Sequence, residues 1–503
     1  MRVRYLAAVM LILVAPVFAL DGQPGMHDPS TVIFENGRYY SFGTGAGLPI
    51  SISDDGWNWR RAGTLMQALP GGRPGPDVIA RGGNNTWAPD VIRVGDQYFV
   101  YYAAPGTQPK AAVGLLVGKT LDSESPDYRW VDGGPVVWSD GVEDSNAIDP
   151  GVFLDPGNGS LWLTYGSYFG YIRLVELDPR TGKRLHPEAK PVDIAINSEA
   201  SIMIYHDGWY YLLVNHGSCC AGANSSYTIR MGRARKVTGP FLDNMGVDML
   251  KGGGKLFLGS GGRDVGPGHF GLLDLGDGVQ KFSCHYEADL DRGGASVLDI
   301  RPLLWRDGWP IAGENIRAGA YEIESARTGT ALELAVQGAP VGGGRGGRGG
   351  AGGRGGRGAR GGETPVAIPA QDVAEVSANW PAGAVDVRMS TYMLQAQQKW
   401  TIAPVAGAGG YPGAPYFKIT IAGTDRALAA TADGEVVALP AFTGGPEQLW
   451  RIDQLADGAY RIMPKSIPNA KEPAALSAVG SSRPTLSRFK ADSDRQRWLF
   501  KTP

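Results

Sequence analysis

Between residues 27 and 282 one pattern recurs five times, and it restricts the folds open to this chain more than any other feature. Each copy opens on a polar or acidic residue beside a small residue or proline. It continues as an aliphatic strand, turns at Gly, Asp or Asn, and returns as an aromatic strand. His27-Asp28-Pro29-Ser30 leads to Gly37-Arg38-Tyr39-Tyr40, and Trp87-Ala88-Pro89-Asp90 leads to Gly95-Asp96-Gln97-Tyr98. Asp149-Pro150-Gly151, Glu199-Ala200-Ser201 and the weaker Gly268-His269-Phe270 open the others. The anchors fall at 28, 90, 149, 199 and 269, in steps of 62, 59, 50 and 70 residues. Each step holds a strand pair and room for two more strands. A four-stranded unit repeated at this period predicts an all-β, five-bladed β-propeller.

That fold carries a chemical consequence. The first strand of every blade lines the central channel, so residues at matching positions converge on one axis. They are Asp28, Asp90 or its neighbour Trp87, Asp149, Glu199 and His269. One acid before a strand is ordinarily a turn cap. Several acids and a histidine in register point instead to a site. Carboxylates around one cleft suit cleavage of a glycosidic bond. One neutral acid protonates the leaving oxygen, one carboxylate drives water or attacks, and a third keeps the donor protonated.

These residues resemble glycoside hydrolase family 43, and within it the endo-1,5-α-L-arabinanases. The resemblance rests on His27-Asp28-Pro29-Ser30, Trp87-Ala88-Pro89-Asp90, Asn146-Ala147-Ile148-Asp149-Pro150, Tyr165-Gly166-Ser167 and Ser198-Glu199-Ala200. Gly217-Ser218-Cys219-Cys220, Asn224-Ser225-Ser226-Tyr227, Gly266-Pro267-Gly268-His269 and Asp307-Gly308-Trp309-Pro310 extend it to roughly residues 21–314. It implies Asp28 as general base, Glu199 as general acid and Asp149 as the acid that raises the donor's pKa. It implies His269 as ligand of an axial metal ion, usually calcium, with water supplying most of the shell. Asn146, Ala147, Ile148, Ser167, Tyr168 and Phe169 match substrate-contacting stretches. Trp87 would offer a sugar an aromatic face, unless it packs between blades. Tyr168-Phe169-Gly170-Tyr171 stands where the family commonly has Phe-Trp-Gly-Gly.

Residues 1–19 read as a signal peptide. Arg2 and Arg4 precede an apolar run, and Val17-Phe18-Ala19 suits cleavage after Ala19. The expected location is therefore secreted or periplasmic. No later run is long and apolar enough to span a bilayer. With 48 basic against 50 acidic residues the formal charge is -2, which argues against nucleic acid or an anionic membrane as the main partner. Three cysteines are too few for a disulfide scaffold. Cys219 and Cys220 could join each other, one could pair with Cys284, or all three could be buried thiols; burial is the simplest expectation.

After the propeller, expected over 20–314, a second module is expected over 318–503. Gln398-Lys399-Trp400, Gln448-Leu449-Trp450 and Gln496-Arg497-Trp498 recur in steps of 50 and 48. This resembles the ricin-type β-trefoil, whose Gln-x-Trp tryptophans are structural. A Gly/Arg tract at 337–363 cannot bury a core and reads as a disordered insertion in the first trefoil unit. The whole reads as a monomeric, exported, inverting glycoside hydrolase acting on α-1,5-L-arabinofuranosidic linkages of plant cell-wall arabinan or arabino-oligosaccharides. The alternatives are an exo-acting α-L-arabinofuranosidase or β-xylosidase, and a non-catalytic sugar-binding propeller.

Overall fold

The computed structural model describes residues 20–142, 145–336 and 373–503. The signal-peptide and Gly/Arg-insertion expectations lie outside these residues. Five antiparallel blades follow one another. Blade one carries Ile33–Glu35, Arg38–Phe42, Pro49–Ser53 and Asn58–Thr64. Blades two to five begin at the strands Trp87–Val94, Gly151–Leu154, Glu199–His206 and Asp264–Asp274. The ring is closed by the segment before blade one. Asp21–Gly22 runs parallel to Asn58–Thr64, and Met26 N and Pro24 O bond to Ser296 and Leu298 of blade five at 3.1 and 2.9 Å.

The strands form for the expected reason: alternate residues face neighbouring blades, and their aliphatic and aromatic side chains fill the gaps between sheets. Phe99, Tyr101, Leu161, Leu163 and Leu177 pack fully buried between blades two and three. Tyr211, Leu213, Ile229, Phe282 and Leu303 do so between blades four and five.

At the axial end of each blade the chain makes one left-handed residue. These are Asp28, Ala88, Asp149, Ala200 and His269, with φ of 48, 37, 52, 51 and 52°. Left-handed non-glycine residues are uncommon, so a fivefold recurrence around one axis is a property of the repeat. In blades two, four and five the pairing register shifts there, between Trp87 and Asp90, Glu199 and Ile202, and Gly268 and Gly271. Such a bulge re-aims side chains. It also corrects the expected alignment: Asp90 lies two residues past its kink, and Glu199 lies one residue before its own.

The second module is the β-rich trefoil. Trp400, Trp450 and Trp498 are fully buried, and each indole N–H donates to one backbone carbonyl, of Leu332, Leu428 and Leu476, at 2.8, 3.0 and 2.9 Å. The buried glutamines repeat as faithfully: Gln398, Gln448 and Gln496 accept from Met393, Thr443 and Lys490 N at 2.7, 2.7 and 2.8 Å. The motif thus satisfies one loop and one strand per unit.

The two modules share a tight seam. Gly410 and Gly413 N donate to Asp55 Oδ2 and Gly56 O at 3.0 and 3.2 Å. A Cβ on Gly410 would fall 2.3 Å from the Trp57 side chain, so glycine is required there. Blade five contributes the buried Lys281, which donates to Pro412 O and lies 3.9 Å from Asp453 Oδ1.

Candidate active site

Asp28, Asp149 and His269 occupy the same kink position of blades one, three and five, and Glu199 occupies the preceding position of blade four. All four meet at one end of the channel. His269 Nε2 lies 3.0 Å from Asp28 Oδ1. Asp149 Oδ2 accepts from Ala200 N at 3.2 Å, which ties blade three to the residue after Glu199. The three carboxylates are almost buried, at 9, 7 and 9 % exposed for Asp28, Asp149 and Glu199.

Asp28 is the best-supported carboxylate. Thr44 Oγ1 donates to its Oδ2 at 2.5 Å. Burial favours its neutral form, but the charge and hydrogen bond of His269, with the charge of His27, outweigh burial and hold it well below the usual carboxylate range. Its peptide is fixed too: Asp28 N donates to His285 Nδ1 at 3.0 Å, and His285 Nε2 faces Glu287 Oε1 at 3.3 Å. A ring that accepts at Nδ1 carries its proton at Nε2, and burial lowers the His285 pKa, so this ring stays neutral.

Glu199 receives Tyr227 Oη–H on Oε1 and Ser167 Oγ–H on Oε2, the latter at 3.2 Å. Burial nonetheless raises its pKa. Asp149 is raised as well, by burial and then by the Glu199 charge. Two buried carboxyls this close cannot both ionise cheaply, so the pair retains a proton. The site therefore presents an ionised carboxylate on blade one opposite a proton-bearing pair on blades three and four. That is the arrangement general acid–base hydrolysis needs.

Around this centre the other expected residues separate. Ser167 is buried on Glu199. Trp87 is 37 % exposed, so it is not packed between blades. Tyr168 and Phe169 are exposed, and Tyr168 Oη–H donates to Gly217 O at 2.7 Å, bridging the loops of blades three and four. Asn146 is buried, and its amide finds no partner among the described residues. Ala147 has no exposed surface and packs with Val137 and Val152 in the core between blades two and three. Its side chain is a packing residue, and Ile148 is buried beside Ala103 and Ala111. Asp90 is structural: its two oxygens accept Thr31 N and Val152 N at 3.1 and 2.9 Å, stitching blade two to blades one and three.

Three features escaped the sequence. His285 reaches Asp28 only when the ring closes, and Tyr227, although it stands inside the Asn224–Tyr227 motif, reaches Glu199 only through the pairing of blade four. Cys219 and Cys220 form a disulfide with each other, while Cys284 is a buried thiol. The expectation of three buried thiols is thereby corrected. The adjacent pair sits in a surface loop, where no core shields it, and Cys220 Sγ lies 3.8 Å from His27 Nε2. The compact ligand clusters among the described residues are His27/Asp28/His285 and His27/Cys220/Glu287, and neither includes His269. His269 offers calcium one nitrogen, already facing Asp28, and no oxygen cage; this donor set fits calcium poorly without water.

The profile of the glycosyl hydrolases family 43 matches residues 22–310, and that of the ricin-type β-trefoil lectin domain-like family matches 396–472. The extracellular exo-α-(1→5)-L-arabinofuranosidase ArbA of Cellvibrio japonicus is 32 % identical over 327 residues, 61 % of this chain and 92 % of the relative. The extracellular endo-α-(1→5)-L-arabinanase 1 of Bacillus subtilis is 32 % identical over 296 residues, 57 % and 87 % of the two chains. The solved structure of the Cellvibrio cellulosa α-L-arabinanase complexed with arabinohexaose aligns at a TM-score of 0.53 and 30 % identity, over 57 % of this chain and 95 % of that one. No helix among the described residues is long and apolar enough to cross a membrane.

Proposed function

Because the chain belongs to glycosyl hydrolase family 43, we propose that it hydrolyses the α-1,5-L-arabinofuranosyl linkages of arabinan internally, with inversion, as an exported monomer. The observation that carries this reading is the opposed protonation of carboxyls brought to one axis: Asp28 held ionised, Glu199 and Asp149 holding a proton.

Glu199 donates its proton to the glycosidic oxygen as the bond to the anomeric carbon breaks, and the leaving sugar departs as an alcohol. Asp28 takes a proton from water, whose oxygen bonds to the anomeric carbon from the opposite face. One water is consumed per bond, and the proton taken by Asp28 returns to Glu199 through solvent. Asp149 restrains ionisation of Glu199 through its charge and fixes the peptide at Ala200. An axial calcium ion would be held by His269 with water completing its shell, and no step uses it.

Inversion requires acid and base about 6.5–9.5 Å apart, with room for the attacking water. Proton NMR of the first product anomer tests it. First release of the α-anomer, or sugar transfer to methanol, would rule the mechanism out.

Exo action is the second reading. The exo-acting arabinofuranosidase of Cellvibrio japonicus, 32 % identical over 327 residues, supports it. Product analysis on linear arabinan separates the two: a ladder of oligosaccharides means internal cleavage, and a single short product from the first minutes means exo action. A third result, binding of arabinan with no new reducing ends, would make the propeller a sugar-binding module.

A further inference from the structure

Beside the catalytic base lies a cavity of about 260 Å³ that no catalytic residue fills. It is lined by the Gly45–Ala46–Gly47 turn, by Trp87, and by a polar set of Arg73, Asn84 and Asn85, all three exposed. The polar set belongs to an excursion of the chain between the last strand of blade one, Asn58–Thr64, and the first of blade two, Trp87–Val94. Two short turns and the helix Pro76–Arg81 make up that excursion.

The cavity is mechanically joined to the base. Thr44, which donates to Asp28 Oδ2, accepts from Ala88 N at 2.7 Å. Thr86 Oγ1 donates to Gly45 O at 2.6 Å and accepts from Gly47 N at 3.0 Å. Base, turn and Trp87 therefore form one hydrogen-bonded unit. The turn is set by its sequence: Gly45 and Gly47 have φ of 147 and 76°, and a Cβ on either would approach Pro49 or Thr64 to 3.0 Å.

Arg73 makes no ion pair among the described residues, and the side-chain amides of Asn84 and Asn85 have no hydrogen bond there. A part-exposed indole lining the same cavity as a guanidinium and two side-chain amides matches one ligand chemistry well. A furanose lays its C–H face on the ring and presents its hydroxyls to the donors and acceptors nearby.

We propose that this cavity is an outlying subsite, on the base side of the cleft, for a sugar unit beyond those flanking the scissile bond. Arg73, Asn84 and Asn85 determine how much the enzyme gains from a longer chain. The proposal rests on the arabinan-hydrolase reading and adds where and by which residues the chain is held. A subsite of this kind uses remote binding to position the reacting linkage.

The test compares kcat/KM on arabinohexaose with that on arabinotriose. In the Arg73→Ala/Asn85→Ala double variant the ratio of the two should fall about tenfold relative to the unaltered enzyme. Ala46→Trp, which adds bulk to the cavity lining without removing a polar group, should lower the same ratio. A ratio unchanged in both variants overturns the subsite, as does an equal loss on both substrates, which would mark a merely structural role. An unaltered enzyme that cleaves neither oligosaccharide would instead overturn the arabinan-hydrolase reading itself.

Discussion

The Tyr227 hydroxyl donates to Oε1 of Glu199, joining the third strand region of blade four to the first residue of that blade's axial strand. A donor aimed at a carboxylate favours its ionised form, while burial of the same group disfavours it. Tyr227→Phe should therefore have two effects. The Glu199 carboxyl loses its orientation, and kcat should fall about tenfold or more. Glu199 also keeps its proton to higher pH, so the alkaline limb of the kcat profile should move upward. A fall in kcat with an unmoved limb would limit Tyr227 to packing.

Asp149→Asn should shift that limb the other way. The Glu199 charge raises the Asp149 pKa, and a charge–charge repulsion acts on both partners, so an ionised Asp149 raises Glu199 in turn. Without it, Glu199 ionises at lower pH, and the alkaline limb of kcat/KM should move downward while the protein stays folded. A pH–rate series on the two variants reads opposite signs from neighbouring residues.

The two principal acids are separable by leaving group. Glu199→Gln should cost about 10²-fold or more on arabinan, and much less on an aryl arabinofuranoside whose leaving group needs no proton. Asp28→Asn should be damaging on both, because water activation is needed in either case. Equal losses for Glu199→Gln on the two substrates would remove it from the acid role.

The seam between the modules makes a stability prediction. Asp453 accepts from Arg451 and Arg461 at 2.6 and 2.7 Å and also faces Lys281. Asp453→Ala leaves these cations uncompensated, and denaturant unfolding should show a loss of about 3–5 kcal/mol. Lys281→Met keeps Asp453 paired with two arginines and should be neutral or stabilising by about 1–4 kcal/mol at pH 7. Burial pushes the Lys281 pKa down from 10.5 to about 8. Between those values the unfolded chain binds more protons than the folded one, so the native lysine's burden is present below about pH 8 and eases as pH rises toward 10.5. The advantage of Lys281→Met should accordingly shrink between pH 7 and pH 10. Because Gly410 and Gly413 bond to Asp55 and Gly56 across the seam, a propeller cut free of its trefoil should be less stable than two independent modules would imply.

Much of this protein could be read from its residues in order. Alternation of aliphatic and aromatic residues between turn signals determined the strands, their repetition determined the propeller, and three Gln-x-Trp repeats determined the trefoil, because these patterns are local and each copy reinforces the others. Asp28, Asp149, Glu199 and His269 stood out because a closed ring brings equivalent positions to its axis. What tertiary structure decided is how those positions are aimed. The sign of φ at Asp28, Ala88, Asp149, Ala200 and His269 leaves no mark in a hydropathy pattern. A bulge of one or two residues therefore moved Asp90 off the axis into backbone bonds, and left blade four with Ala200 at the kink, its N–H on Asp149, and the carboxyl of Glu199 one residue earlier. The partners that tune the acids lie far away along the chain: Tyr227 on Glu199, and His285 beneath Asp28 at a separation of 257 residues. The His285–Asp28 contact arises only on ring closure, and the Tyr227–Glu199 contact only when blade four folds. Exposure of the Cys219–Cys220 loop and burial of Lys281 against Asp453 likewise depend on which surfaces meet, and hydrophobic packing of distant segments sets that, not the sequence around either residue.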